Sequence, residues 1–205
     1  MAIIVIGGQS RNVGKTSVVA GLIEALPSYA WTAIKITQFG HGRCSVNGKA
    51  CHCSTPDHRF SISEEKQPST KTDTSRFLRA GAKRVFWVRA EQGRLGEVVP
   101  ALRGLLSQAE NSIIESNSIV RFIRPDLYLT VLDPGIEDWK MSAWTLVERA
   151  DALIVHRREG ALSGEVRLRP LFARPTFSIQ PPEYVTDQVI AFVAGHLERL
   201  SHSPA

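Results

Sequence analysis

The sequence contains no run of eighteen apolar residues, so no membrane-spanning helix is expected. It has no block of lysines and arginines either. Its formal charge of +5 comes from basic residues scattered along the chain, which argues against a surface that tracks a nucleic-acid backbone. A polyanionic small ligand accounts for the sign of that charge equally well. Cysteine is scarce: three residues, all between positions 44 and 53, too few and too clustered for a disulfide framework. Internal repeats are absent, and no Pro/Gly/Ser-rich linker divides the chain. No basic segment precedes the short apolar stretch Met1–Ile6, and a glycine turn follows it, so it reads as a buried strand rather than a signal peptide. A cytoplasmic location is the expectation.

What is present is an ordinary globular composition, 43% apolar and 22% charged over 205 residues. Apolar strand-like runs alternate with amphipathic helical stretches, which predicts an α/β domain with a mostly parallel twisted sheet covered by helices on both faces. Strands are expected at 2–7, 31–36, 84–90, 112–114, 127–132, 152–155 and 176–179. Helices are expected at 16–26, 74–80, 97–109, 118–124, 141–150 and 187–200, with Thr186 as the N-cap of the last. The stretch 37–72 has no sustained period and reads as a Cys/His-rich insertion in one domain spanning 1–205.

Between the first strand and first helix lies Gly7-Gly8-Gln9-Ser10-Arg11-Asn12-Val13-Gly14-Lys15-Thr16-Ser17. Phosphate oxygens need several backbone N–H groups aimed at one point, and a glycine-rich turn into a helix N-terminus supplies them. This is the context of a P-loop, with residues Gly8 to Ser17 around the phosphates. Lys15 is expected to reach the β- and γ-phosphates and the Thr16 hydroxyl to bind Mg²⁺. The strict spacing places a glycine where this chain has Gln9. A three-layer P-loop NTPase fold binding GTP or ATP follows as the expectation.

Two strand-end residues extend the site. Glu115 ends an apolar strand, where a Walker B acid orients the water shell of the magnesium ion. Asp133, in Leu132-Asp133-Pro134-Gly135, follows another apolar strand and competes for that role. Lys35 closes the second strand, where its charge can meet a transferring phosphoryl group or simply reach water.

The segment Ile34-Lys35 and the run Asp73-Thr74-Ser75-Arg76-Phe77-Leu78-Arg79-Ala80-Gly81-Ala82 resemble the molybdopterin-guanine dinucleotide biosynthesis protein B family, over about the first 90 residues. The resemblance implies GTP binding, a homodimer, and a molybdopterin-type cofactor or a partner protein as the object of the activity. Lys35-Ile36-Thr37-Gln38-Phe39-Gly40 is similar to the lysine loop of dethiobiotin synthetase, which implies a small-molecule kinase or ATP-dependent ligase instead. The second half departs from the first family, since Glu115 is followed by Ser116-Asn117-Ser118 rather than glycine, an aromatic and lysine. Ala150 to Glu159 looks like the segment where GTP-binding relatives read the base with Asn-Lys-x-Asp, but His156 and Glu159 replace the asparagine and aspartate. Guanine and adenine therefore both stay open.

The insertion packs Cys44, Cys51 and Cys53 with His41, His52 and His58 into eighteen residues. Three cysteines and His58 would complete a tetrahedral zinc site. Free thiols in a loop and an iron–sulfur cluster are the alternatives, and a nucleotide-switched metal or cofactor carrier is the corresponding non-catalytic function.

Overall fold

The computed structural model of the chain describes residues 1–39, 59–68, 71–157, 171 and 173–202. Cys44, Cys51, Cys53 and His58, with Glu159, lie outside the described residues. The strands are β1 (Ile3–Gly8), β2 (Trp31–Phe39), β3 (Phe60–Glu64), β4 (Arg84–Glu91), β5 (Asn111–Glu115), β6 (Leu127–Leu132), β7 (Ala152–His156) and β8 (Thr176–Ile179). The helices are α1 (Lys15–Ala25), α2 (Asp73–Arg79), α3 (Leu95–Ser107), α4 (Met141–Leu146) and α5 (Asp187–His202).

All eight strands form one sheet in the order β3-β4-β2-β5-β1-β6-β7-β8. Every pairing is parallel except β3 with β4. Strands buried on both faces need apolar residues at both parities, which is why β1, β6 and β7 read as continuous apolar runs. Ile4, Ile6, Leu127, Leu129 and Val131 point into one core with Val18, Leu22, Phe77, Val189 and Val193 of α1, α2 and α5. Val5, Tyr128 and Leu132 point into the opposite core with Leu95, Val98 and Leu102 of α3. The result is the three-layer α/β architecture of P-loop NTPases.

Five details differ from the sequence expectation. The helix expected over 118–124 is a short 3₁₀ turn at Ser118–Arg121. The sheet has an eighth strand, because Phe60–Glu64, inside the stretch expected to be irregular, adds antiparallel to the β4 edge. β2 continues to Phe39, since Thr37, Gln38 and Phe39 find partners in Arg89, Ala90 and Glu91. The helix expected over 141–150 ends at Leu146 and tightens to a 3₁₀ turn at Val147–Arg149. Thr186 precedes α5, but its buried hydroxyl has no hydrogen-bond partner among the described residues, so its side chain does not cap the helix.

The chain leaves β1 toward β2 and β4 on one side, returns to place β5 directly beside β1, then continues through β6 to β8 on the other side. In an open α/β sheet such a reversal leaves a crevice beyond the carboxyl ends of the strands. No helix among the described residues is long and apolar enough to cross a membrane.

Candidate functional site

The loop after β1 turns into α1 at Gly14, whose φ of 96° suits a residue without Cβ. Space demands glycine there too: a Cβ on Gly14 would lie 2.5 Å from Tyr184 Cε1. Gly8 is needed for close approach, because a Cβ there would sit 2.8 Å from both Lys15 Cγ and Val13 Cγ1. The loop is therefore folded tightly over the end of β1. Lys15 Nζ donates to the Ser10 carbonyl across the loop mouth at 2.5 Å. Burial, followed by the charge of Lys140, lowers the pKa of Lys15 to about 8.

The parallel register sets the next layer. Glu115 ends β5 opposite Ile6 of β1 and Lys35 of β2, so strand pairing alone brings Lys35 beside Glu115. Lys35 Nζ lies 2.9 Å from each Glu115 carboxylate oxygen and 2.6 Å from Asp73 Oδ2. Thr16 Oγ1 donates to Glu115 Oε2 at 2.8 Å and lies 3.4 Å from Lys35 Nζ. Burial opposes a charge on Lys35, but the Glu115 and Asp73 carboxylates more than offset it and raise its pKa. Two carboxylates and one hydroxyl thus surround a single cation. All three are hard oxygen donors, the ligand type that magnesium takes, so this set could hold such an ion.

Asp73 is a site residue that sequence reasoning did not assign. It opens α2, whose N-terminus is fixed by Thr72, the side chain of which accepts from Ser75 N–H at 3.1 Å. From the same helix Arg76 Nη2 donates to Ser17 Oγ at 3.0 Å, tying α2 to the phosphate loop. Its signals were its place at the head of the run that carries the family resemblance and a carboxylate at a helix start behind a threonine cap, and neither assigns it to a distant lysine. Lys140 is the second residue missed. It precedes α4 and faces the same cleft as Arg11, Lys15, Lys35 and Glu115.

The remaining candidates fall elsewhere. Gln9 is buried, and its side chain turns away from the loop mouth to accept from Asp133 N–H at 2.9 Å and donate to the Ile136 carbonyl. Asp133 is buried at the end of β6, where its Oδ1 accepts from Gly135 N–H at 2.9 Å. Neither belongs to the cleft wall, whereas Glu115 does. His156 is also buried and lies outside that wall: its Nε2 is 2.9 Å from the Val13 carbonyl, and its ring packs edge-on against Tyr184. The position resembling a base-reading asparagine thus braces the phosphate loop from behind.

The cleft itself has a volume of about 1230 Å³. Beyond Lys35 it continues past Gln38, Trp87, Leu95, Ser118 and Phe122, and Tyr184 lines it beside Gly14 of the phosphate loop.

These features define the class as a P-loop NTPase fold. The chain is similar to the hydrogenase maturation factor HypB from Helicobacter pylori, solved in complex with nickel, at 14% identity and TM-score 0.57 over 100% of this chain and 90% of that one. HypB from Archaeoglobus fulgidus gives 13% identity and TM-score 0.55 over 96% and 90%. LpxK from Aquifex aeolicus, solved in complex with ATP, gives 20% identity and TM-score 0.48; this chain covers 53% of its length and is itself covered over 87%. No family model and no curated protein matches the sequence.

Proposed function

We propose that this protein binds a nucleoside triphosphate with magnesium and acts on its terminal phosphoryl group. The observation that carries this reading is the gathering of Lys15, Thr16, Lys35, Asp73 and Glu115 at the end of β1, in one cleft. Backbone N–H groups from Ser10 to Ser17 cradle the phosphates and Lys15 carries the main charge to them, while the Gly8 and Gln9 N–H groups stay with Asn117 and Val131. Thr16, Glu115 and Asp73 hold the magnesium ion, which supplies charge neutralisation when bound. With a divalent cation held by these carboxylates, the Lys35 ammonium would be free to meet the phosphate oxygens. Asp133 serves the loop that follows β6, not the metal.

The finer assignment, to a role like that of the molybdopterin-guanine dinucleotide biosynthesis protein B family, is supported by the contact between Lys35 and Asp73. These two residues belong to the two separate segments that carry the resemblance. A second reading, a small-molecule kinase or ligase, is favoured by the length of the cleft beyond Lys35, which leaves room for an acceptor.

Calorimetric titration of ATP and GTP, with and without magnesium, tests the common core of both readings. Wild-type protein is expected to bind one or both, and Lys15→Ala to bind neither while keeping its circular dichroism spectrum. Equal affinity in both proteins would overturn the reading. Release of inorganic phosphate, stimulated or not by candidate acceptors, then separates hydrolysis from transfer.

A further inference from the structure

Gln9 departs from the P-loop spacing, and every polar group it has is committed. Its N–H donates to the Val131 carbonyl at 2.9 Å, and its carbonyl accepts from Lys140 N–H at 3.0 Å. Its side chain holds Asp133 N–H and the Ile136 carbonyl, as described above. Three of these four hydrogen bonds, to Asp133, Ile136 and Lys140, therefore fasten the segment between β6 and α4 to the phosphate loop. A glycine at this position would make only the two backbone bonds.

Lys140 is what that segment delivers. Its N–H is held by Gln9, and its carbonyl accepts from Ala143 and Trp144 N–H at 2.9 and 3.0 Å, so the backbone is fixed on both sides. Trp139 and Trp144 pack edge to face, with centroids 5.0 Å apart, around it. The half-buried side chain lines the cleft and makes no hydrogen bond or ion pair among the described residues. Burial and the neighbouring Arg11 lower its pKa, and it in turn lowers that of Lys15. A half-buried cation held against other cations is an unfavourable arrangement for the protein alone, and a polyanion relieves it. The charges that act on Lys140 are Arg11 of the phosphate loop, Glu115 and Lys35 at the metal end of the cleft, and Asp138, with the two carboxylates opposing the cations. The γ-phosphate, not the α-phosphate or the base, belongs at the metal end.

We propose that Lys140 contacts the terminal phosphate of the bound nucleoside triphosphate, and that Gln9 is the positioning residue that holds it there. The proposal rests on the nucleotide-binding reading and gives Gln9, the departure from the usual motif, a purpose.

The test compares the β,γ-imido triphosphate with the diphosphate of the base the wild type binds, by calorimetry with magnesium. A charge-assisted contact to the terminal phosphate alone makes Lys140→Ala weaken the triphosphate about tenfold or more while changing the diphosphate by less than about threefold. Lys140→Arg is expected to recover most of the discrimination. Gln9→Gly, with Lys140 intact, is expected to lose discrimination in the same direction. Equal losses for both nucleotides, or no loss for either, would overturn the role of Lys140. Unchanged discrimination in Gln9→Gly would overturn the positioning role of Gln9. A wild type that binds neither nucleotide would overturn the underlying reading as well, which separates the two failures.

Discussion

Lys15 and Lys35 lie in the same cleft yet have opposite electrostatic fates. Lys35 has two carboxylates and stays charged, whereas Lys15 is buried among cations and its pKa falls to about 8. Phosphates would favour the charged form of Lys15, so binding raises its pKa and draws in a proton wherever the free protein has lost one. The sign follows: affinity for a triphosphate is expected to decline as the pH rises through about 8, with proton uptake on binding near that pH. Calorimetry in two buffers of different ionisation enthalpy checks this, and equal observed enthalpies in the two buffers near pH 8 would overturn it. Glu115 and Asp133 give a second contrast. Both are buried, but Glu115 accepts the Thr16 hydroxyl and lines the cleft, while Asp133 accepts from Gly135 N–H and does not line it. Glu115→Gln and Asp73→Asn are expected to weaken magnesium-dependent binding by about tenfold or more each, as loss of a charged ligand does, and Asp133→Asn to affect it less. The reverse ranking, measured in magnesium titrations, would give the metal to Asp133.

At the scale of elements, the phosphate loop hangs from the end of β1, and Asn117 is what extends that strand. Its Oδ1 accepts from Gly8 N–H at 2.7 Å and its Nδ2 donates to the Gly8 carbonyl at 2.9 Å, both buried. Asn117→Ala leaves two buried backbone groups without partners and is expected to cost about 2–4 kcal/mol, read as a lower urea midpoint. Asn117 also marks where sequence reading ran out. The P-loop was legible because its residues are contiguous and its strand and helix have strong periods. Glu115 was legible as a strand end; Lys35, expected to close its strand, sits within β2, and the parallel register still sets it opposite Glu115. Asp73, Lys140 and the commitments of Gln9 were not legible. Gln9 and Asp133 are 124 positions apart, and no local pattern encodes such a pairing. β3 was missed for a related reason: its five residues are half-exposed to exposed and gain their hydrogen bonds only by adding to the β4 edge.

Across the whole molecule, the cleft joins parts that the sheet otherwise keeps separate. α1 and α2 belong to one core, while α3 belongs to the other. The cleft touches all three through Lys15, Asp73 and Leu95, and α4 through Met141. A ligand seated there contacts elements from both layers at once, an arrangement that exists only in the folded chain. Binding to the folded state alone stabilises it by about 2.7 kcal/mol when the free ligand is at 100 times its Kd. For a domain of this size each kcal/mol raises the midpoint by about 2–4 °C, so magnesium and triphosphate together are expected to raise Tm by roughly 5–10 °C. Glu115→Gln should retain only the metal-independent part of that shift, and Lys15→Ala none of it. Differential scanning calorimetry of the three proteins, with and without ligand, distinguishes these outcomes. A full shift in Lys15→Ala would mean that the stabilising ligand occupies some place other than the end of β1.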